Sequence, residues 1–136
     1  MPLPEAIWRA WRETDYRVRL ARGGCAVIRV GQPLPATLQG FLHGPDEPWG
    51  FVTAWNPVSV AQPRFANRMR QRELRDVLRA QGFRFLAGAG VGPDGWREPS
   101  LFVCGIDFDT LDALSRRFRQ AAIVRGGGEA ELHALI

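Results

Sequence analysis

Few residues in this chain are of a type and spacing that could do chemistry. The two histidines, His43 and His133, and the two cysteines, Cys25 and Cys104, are not spaced as metal ligands are. The sequence therefore predicts no metal and no cofactor, and a histidine-dependent nucleophile triad has no support. What remains is a set of amides, Asn56, Asn67 and Gln120, together with the Glu98 carboxylate, the Ser100 hydroxyl and the Trp96 indole. An amide can orient a ligand by donating and accepting at once, and a carboxyl can act as general acid or base.

Each of these residues also has a plainer reading. At about 100° per residue, Asn67 projects close to Leu74 and Leu78, on the edge of an apolar helix face, where it would tie the helix start to the Asn56-Pro57 turn. Glu98 reads either as a general acid or base or as a rim carboxylate paired with Arg97 or Arg119. Ser100 has no base near it in sequence to make it a nucleophile, and Trp96 reads as a cap on the core.

A second constellation is cationic. All 18 basic residues are arginine and the net charge is +4. Arg64, Arg68, Arg72, Arg75 and Arg79 recur at helical spacing, within a stripe of about 80° on one helix face. Such a ladder is either a solvated face, partly neutralised by Glu73 and Asp76, or a seat for an anionic partner, with nucleic-acid phosphate as one candidate. Neither aromatic stacking pairs on a strand nor helix-turn-helix spacing accompanies it.

The elements that must position these residues follow from periodicity and from turn residues. With 136 residues, 46% of them hydrophobic, the chain predicts one domain with one sizeable core. Residues 1–48 read as a helix over 4–13, a hairpin turning at Gly23-Gly24, and a Pro/Gly-rich linker with a helical turn at 37–42. Residues 49–136 read as strand 49–55, helix 64–81, strand 83–89, a glycine-rich loop, strand 100–106, helix 109–120, strand 121–125 and a final strand after Gly126-Gly127-Gly128. Strand, helix, strand, strand, helix, strand is the split βαβ pattern of ferredoxin-like folds. The predicted fold class is thus α+β, a mostly antiparallel sheet in the order 4-1-3-2 with both helices on one face, extended by the N-terminal hairpin and the C-terminal strand. A mixed sheet with helices on both faces remains open. Both cysteines fall in apolar runs and read as buried reduced thiols.

That topology gathers Asn56, Asn67, Trp96, Glu98, Ser100 and Gln120 at one end of the sheet, where the long helix begins. Arg116, Arg117 and Arg119 and the loop 88–95 face the same rim, and the helix start near Arg64 offers free N–H groups suited to an anion. The stretch 1–13 has no apolar run of signal-peptide length, and nowhere do about 18 apolar residues run together. A cytoplasmic protein is the expectation.

The segments Phe51-Val52-Thr53-Ala54-Trp55-Asn56-Pro57, Asn67 ahead of a leucine-bearing helix, Trp96-Arg97-Glu98-Pro99-Ser100, and Phe118-Arg119-Gln120-Ala121-Ala122-Ile123 together resemble an uncharacterised bacterial family known only as a domain of unknown function, family 3293. The resemblance runs from about Trp49 to Arg125. It implies no activity, but Asn56, Asn67, Glu98, Ser100 and Gln120 match the family's signature. The family usually places phenylalanine-glycine before the glutamine; here Phe118-Arg119 stands instead.

Three functions are therefore open. One is a small-molecule site, binding or enzymatic, for an anionic ligand such as a nucleotide or sugar phosphate, with Glu98 as the acid or base and Asn56, Asn67, Trp96, Ser100, Arg119 and Gln120 as contacts. The second is a nucleic-acid or acidic-protein binder using the arginine stripe. The third is a homo-oligomer joined through an open apolar sheet face bearing Trp49, Phe51 and Trp55.

Overall fold

The computed structural model describes residues 3–136, with Val58 described in its backbone only; Met1 and Pro2, the start of the N-terminal stretch read above, lie outside the described residues. Helix α1 (Glu5–Arg12) leads into strands β1 (Asp15–Arg19) and β2 (Cys25–Ile28). Gly23 and Gly24 both take positive φ, but the connection is longer than a two-residue turn. Leu20 N–H donates to Gly24 O and Gly23 N–H to Leu20 O, both at 3.1 Å, so the glycines close a turn that starts at Leu20. Cys25 is exposed, contrary to expectation, because β2 presents Ala26 and Ile28 inward and the period-two alternation turns Cys25 out; both thiols are free.

The linker carries one short helix, α2 (Ala36–Gln39), before β3 (Trp49–Val52). A 3-10 turn, Pro57–Ser59, then precedes the long helix α3 (Arg64–Ala80). Strands β4 (Arg84–Val91) and β5 (Arg97–Cys104) form the longest hairpin. Helix α4 (Phe108–Arg117) is N-capped by Asp107, whose carboxylate accepts from Thr110 N at 3.1 Å and Thr110 Oγ1 at 2.6 Å. Strands β6 (Ala122–Gly126) and β7 (Glu131–Ala134) complete the chain.

All strand pairs are antiparallel, in the order β2-β1-β4-β5-β3-β6-β7. The fold is α+β. Its central strands, β6-β3-β5-β4, stand in the 4-1-3-2 order, with the hairpin added at one edge and β7 at the other. Leu74 and Leu78 of α3 and Leu111 and Leu114 of α4 share one core cluster with Val52, Leu101, Val103 and Ile123, so both helices cover the same face. The all-antiparallel pairing and the shared face of α3 and α4 exclude the mixed sheet with the long helices on opposite faces; the other face is covered by the short helix α2 instead.

The opposite face is not open. The sheet curls until the chain after β2 meets the β6–β7 turn, with Gly31 N–H donating to Ala130 O at 2.8 Å, Ala130 N–H to Gln32 O at 2.9 Å, and a bridge between Pro33 and Glu129. Inside the curl, Trp49 (1% exposed) and Phe51 (4%) pack with Val18, Ile28, Leu34 and Leu38. The apolar sheet face expected to pair with a second copy is therefore core, because edge strands and α2 fold back over it. Arg125 pins β6 to α4, its Nη1 lying 3.1 and 3.2 Å from the Asp112 carboxylate oxygens and its guanidinium 4.1 Å over the Phe108 ring.

A candidate small-molecule site inside the curled sheet

Along β5 the alternation places Glu98, Ser100 and Phe102 inside the curl and Leu101 and Val103 toward the helices. Glu98 stands opposite Gly90 of β4, and a side chain at Gly90 would point among Trp96, Thr14 and Tyr16. A cavity of about 170 Å³ fills this mouth of the curl. Asn56, Trp96, Glu98, Ser100 and Gln120, drawn from three separate segments, all line it. The cavity thus lies within the concave sheet face, a step inward from the rim that topology alone suggested.

Glu98 is 9% exposed, and its carboxyl has no hydrogen-bond or ion-pair partner among the described residues. Neither Arg97 nor Arg119 pairs with it. Arg97, one residue along the strand, turns to the opposite face, and Arg119 is exposed. Burial pushes the Glu98 carboxyl up to about 8, since the charged form loses its hydration and gains no counter-ion. Tyr16 on β1 is also raised, chiefly by burial; the Thr14 hydroxyl opposes the shift and the nearby Glu98 charge adds to it. Its hydroxyl donates to Trp11 O at 2.6 Å, while Thr14 Oγ1 donates to Ala10 O at 2.7 Å, and these two bonds seat α1 over the cavity mouth.

The amides divide into scaffold and lining. Asn67 is 2% exposed and does not line the cavity. Its Oδ1 accepts from Asn56 N at 2.9 Å, and its Nδ2 donates to Asn56 Oδ1 at 2.8 Å and Gln62 O at 3.4 Å. This clasp holds Asn56 in the left-handed region, φ 46°, which redirects the chain after β3. Asn56 Oδ1 also accepts from Gln62 N at 3.1 Å, which leaves its Nδ2 the unengaged end. Gln120 donates its Nε2 to Trp55 O at 3.3 Å and Phe118 O at 3.2 Å, so its Oε1 is unengaged. Ser100 donates to Glu98 O at 3.1 Å and keeps its lone pairs free.

The glycine-rich stretch behaves differently from the loop expected over 88–95. Residues up to Val91 belong to β4, and only the turn from Gly92 to Trp96 connects the strands, closed by Gly92 N to Trp96 O at 2.7 Å. Gly88 is in the strand because β1 passes too close for any side chain: a Cβ there would fall well inside contact with the Arg17 carbonyl oxygen. The arginines of α4 are not at the cavity. Arg117 reaches Glu73 at 3.5 Å on the helical side, and Arg116 and Arg119 are exposed. On α3, Arg64, Arg68, Arg72 and Arg79 are exposed and Arg75 half-buried. Glu73, bound to Arg117, does not neutralise the stripe as expected; only Asp76 does, at 3.8 Å from Arg79.

Sequence reasoning missed Trp11, Tyr16, Phe51 and Ser59 as lining residues. The signals were present: Ile7 and Trp11 share one side of α1, and Tyr16 shares the inward face of β1 with buried Val18. It also missed Gln71, whose Oε1 accepts from Ala54 N at 2.9 Å and fixes the chain leaving β3, while its Nε2 is buried without a partner among the described residues. Among the described residues, no three metal-ligating side chains cluster and no helix is long and apolar enough to cross a membrane.

The profile of the family described as "Protein of unknown function (DUF3293)" matches residues 52–123, more than half of the chain. The chain belongs to that family. No curated protein and no solved structure matches it. The DUF3293 span contains Asn56, Asn67, Trp96, Glu98, Ser100 and Gln120, whereas Trp11 and Tyr16 lie before it. The named polar lining residues thus fall inside the span, while three of the four aromatic rings, Trp11, Tyr16 and Phe51, fall before it. At Arg119, where the resemblance leads one to expect glycine, φ is +58°, a conformation glycine adopts without strain.

Proposed function

We propose that this protein binds a compact small molecule in the cavity between β5 and α1, with Glu98 as the group that gives or takes a proton when the molecule binds. The observation that carries this reading is an unpartnered carboxyl, 9% exposed, opening on a cavity of about 170 Å³. Structural carboxylates buried to this degree are paired, and one held near the ambient pH can both give and take a proton. A cavity of that size suits about six to ten non-hydrogen atoms, a benzene-like volume. The arginines assigned to an anionic ligand lie outside the lining, so a nucleotide or sugar phosphate would find no cation there. The test is a fragment screen by thermal shift on the wild type and on Ala122→Phe, which fills the cavity from β6. Fragments should raise the melting temperature of the wild type and leave the variant unmoved. Hits that stabilise both equally, or no hits at all, would refute the reading.

A second reading, anion or nucleic-acid binding through α3, is favoured by one observation: Arg64, Arg68, Arg72 and Arg75 have no carboxylate partner among the described residues. Binding of a short single-stranded oligonucleotide that falls with salt, and is abolished in Arg68→Glu/Arg72→Glu/Arg75→Glu, supports it. Salt-independent or unaltered binding refutes it.

A further inference from the structure

We infer that the ligand of this cavity is an organic cation, an ammonium or guanidinium head on a small apolar body. The inference rests on the small-molecule reading above and adds the charge of what is bound. Three polar groups left unengaged by the fold can accept: the Glu98 carboxyl, Gln120 Oε1, whose own N–H groups are spent on Trp55 and Phe118, and the Ser100 hydroxyl, whose proton goes to Glu98 O. The lining adds four aromatic rings, Trp11, Tyr16, Phe51 and Trp96. In a protein with 18 arginines, no arginine or histidine is among the lining residues.

Each of these features favours positive charge. An ammonium has only donors to offer and meets three acceptors here against the one free amide donor of Asn56, and aromatic faces attract a cation through their quadrupole, more strongly where water is excluded. A carboxylate or phosphate ligand would find no cationic side chain among the described lining residues and only neutral donors, the Asn56 Nδ2 and the protonated Glu98, to meet its charge. Among the described residues, Glu98 and Tyr16 are the only titratable groups in the lining, and α1, β3, β4, β6 and β7 contribute none. When a cation enters, Glu98 gives its proton to solvent and remains as the carboxylate counter-charge, so binding near neutral pH releases one proton per ligand.

The experiment is calorimetry of the full chain with three matched probes, benzylammonium, benzyl alcohol and benzoate, at pH 7 in buffers of different ionisation enthalpy. Benzylammonium is expected to bind at millimolar concentration or tighter, at least about tenfold better than benzoate, with release of close to one proton. Glu98→Gln should weaken benzylammonium by about tenfold or more and leave benzyl alcohol within about twofold, which also reports that the variant is folded. Trp96→Ala is the second variant, expected to weaken the cation more than the alcohol. Benzoate binding as well as benzylammonium, benzylammonium binding without proton release, or a Glu98→Gln variant that keeps its affinity overturns the cation and leaves the small-molecule site standing. If none of the three binds while other fragments stabilise the wild type and not Ala122→Phe, the cation is again overturned alone; if no fragment does so, both readings fall.

Discussion

Glu98→Gln should make the protein more resistant to alkali, and the size of the gain follows from the site. In the unfolded chain Glu98 titrates near 4.5, while in the cavity it holds its proton to about 8. Below pH 4.5 both states are protonated, and the stability contributed by the neutral side chain is fully present. Between 4.5 and about 8 only the unfolded state ionises, so folding costs about 1.4 kcal/mol more for each pH unit. Carried across the whole interval this reaches about 5 kcal/mol; water entering the cavity mouth relaxes around the carboxylate and brings the expected loss to about 2–4 kcal/mol. Above pH 8 both states are ionised and the difference levels off. Glutamine has the same shape and no such titration. Urea unfolding of both proteins at half-unit steps from pH 4.5 to 9 therefore gives a stability difference that grows in favour of the variant as pH rises. Every other residue is common to the two proteins, so the difference between them isolates position 98. A difference constant to within about 0.5 kcal/mol over this range would show that Glu98 is hydrated or paired in solution, and the reasoning from burial would fail.

Three further perturbations test the scaffold. Asn67→Ala removes three hydrogen bonds that hold Asn56 and Gln62, and should cost about 2–4 kcal/mol in denaturant unfolding, with faster proteolysis between Thr53 and Pro63; a loss under about 0.5 kcal/mol would mean the clasp is not formed. Arg119→Gly relieves the positive φ of 58° and should raise stability by about 0.5–1 kcal/mol, a sign that a measured loss would contradict. Gly88→Ala drives a methyl into the Arg17 carbonyl and should cost about 3 kcal/mol or more, whereas Gly90→Ala, with its nearest neighbour at 3.6 Å, should stay within about 1 kcal/mol; equal effects would place β1 elsewhere.

The order of elements was legible because each strand is bounded by turn residues and each helix carries one apolar stripe. Gly82 and Gly126-Gly127-Gly128 punctuate the chain where a helix and a strand end, whereas β3 stops at Val52, short of the expected 55, and Asn56-Pro57 opens a 3-10 turn instead. The β4–β5 hairpin was misread at Gly88 and Gly90 because glycine marks both a loop and a strand position where something passes close, and only the position of β1 decides between them. The curl of the sheet was not legible, since it depends on the meeting of Gln32–Pro33 with Glu129–Ala130, segments about a hundred residues apart in the chain that carry no local signal. The hidden curl turned Trp49 and Phe51 from an exposed surface into core. For the site, topology brought five of the named polar residues to one cavity, while the arginine rim failed because helix exit positions do not fix which way long side chains turn.

The molecule carries its unfavourable features in one place. Asn56, Ser59 and Arg119 are the non-glycine residues with positive φ among the described residues; the first two line the cavity and the third precedes Gln120, which also does. Beside them stands a buried carboxyl with no partner, in a cavity that a leucine at Glu98 would help to fill. Each of these costs folding free energy that ordinary substitutions would recover. The rest of the core is apolar side chains on alternating strand positions and helix stripes, with nothing comparable apart from the lone Gln71 and Ser115 groups. A fold shaped for stability alone has no reason to collect strain, an unpaired acid and empty volume at one mouth of the sheet, whereas a binding site needs all three: a fixed turn to aim the amides, a group free to meet the ligand, and room for it.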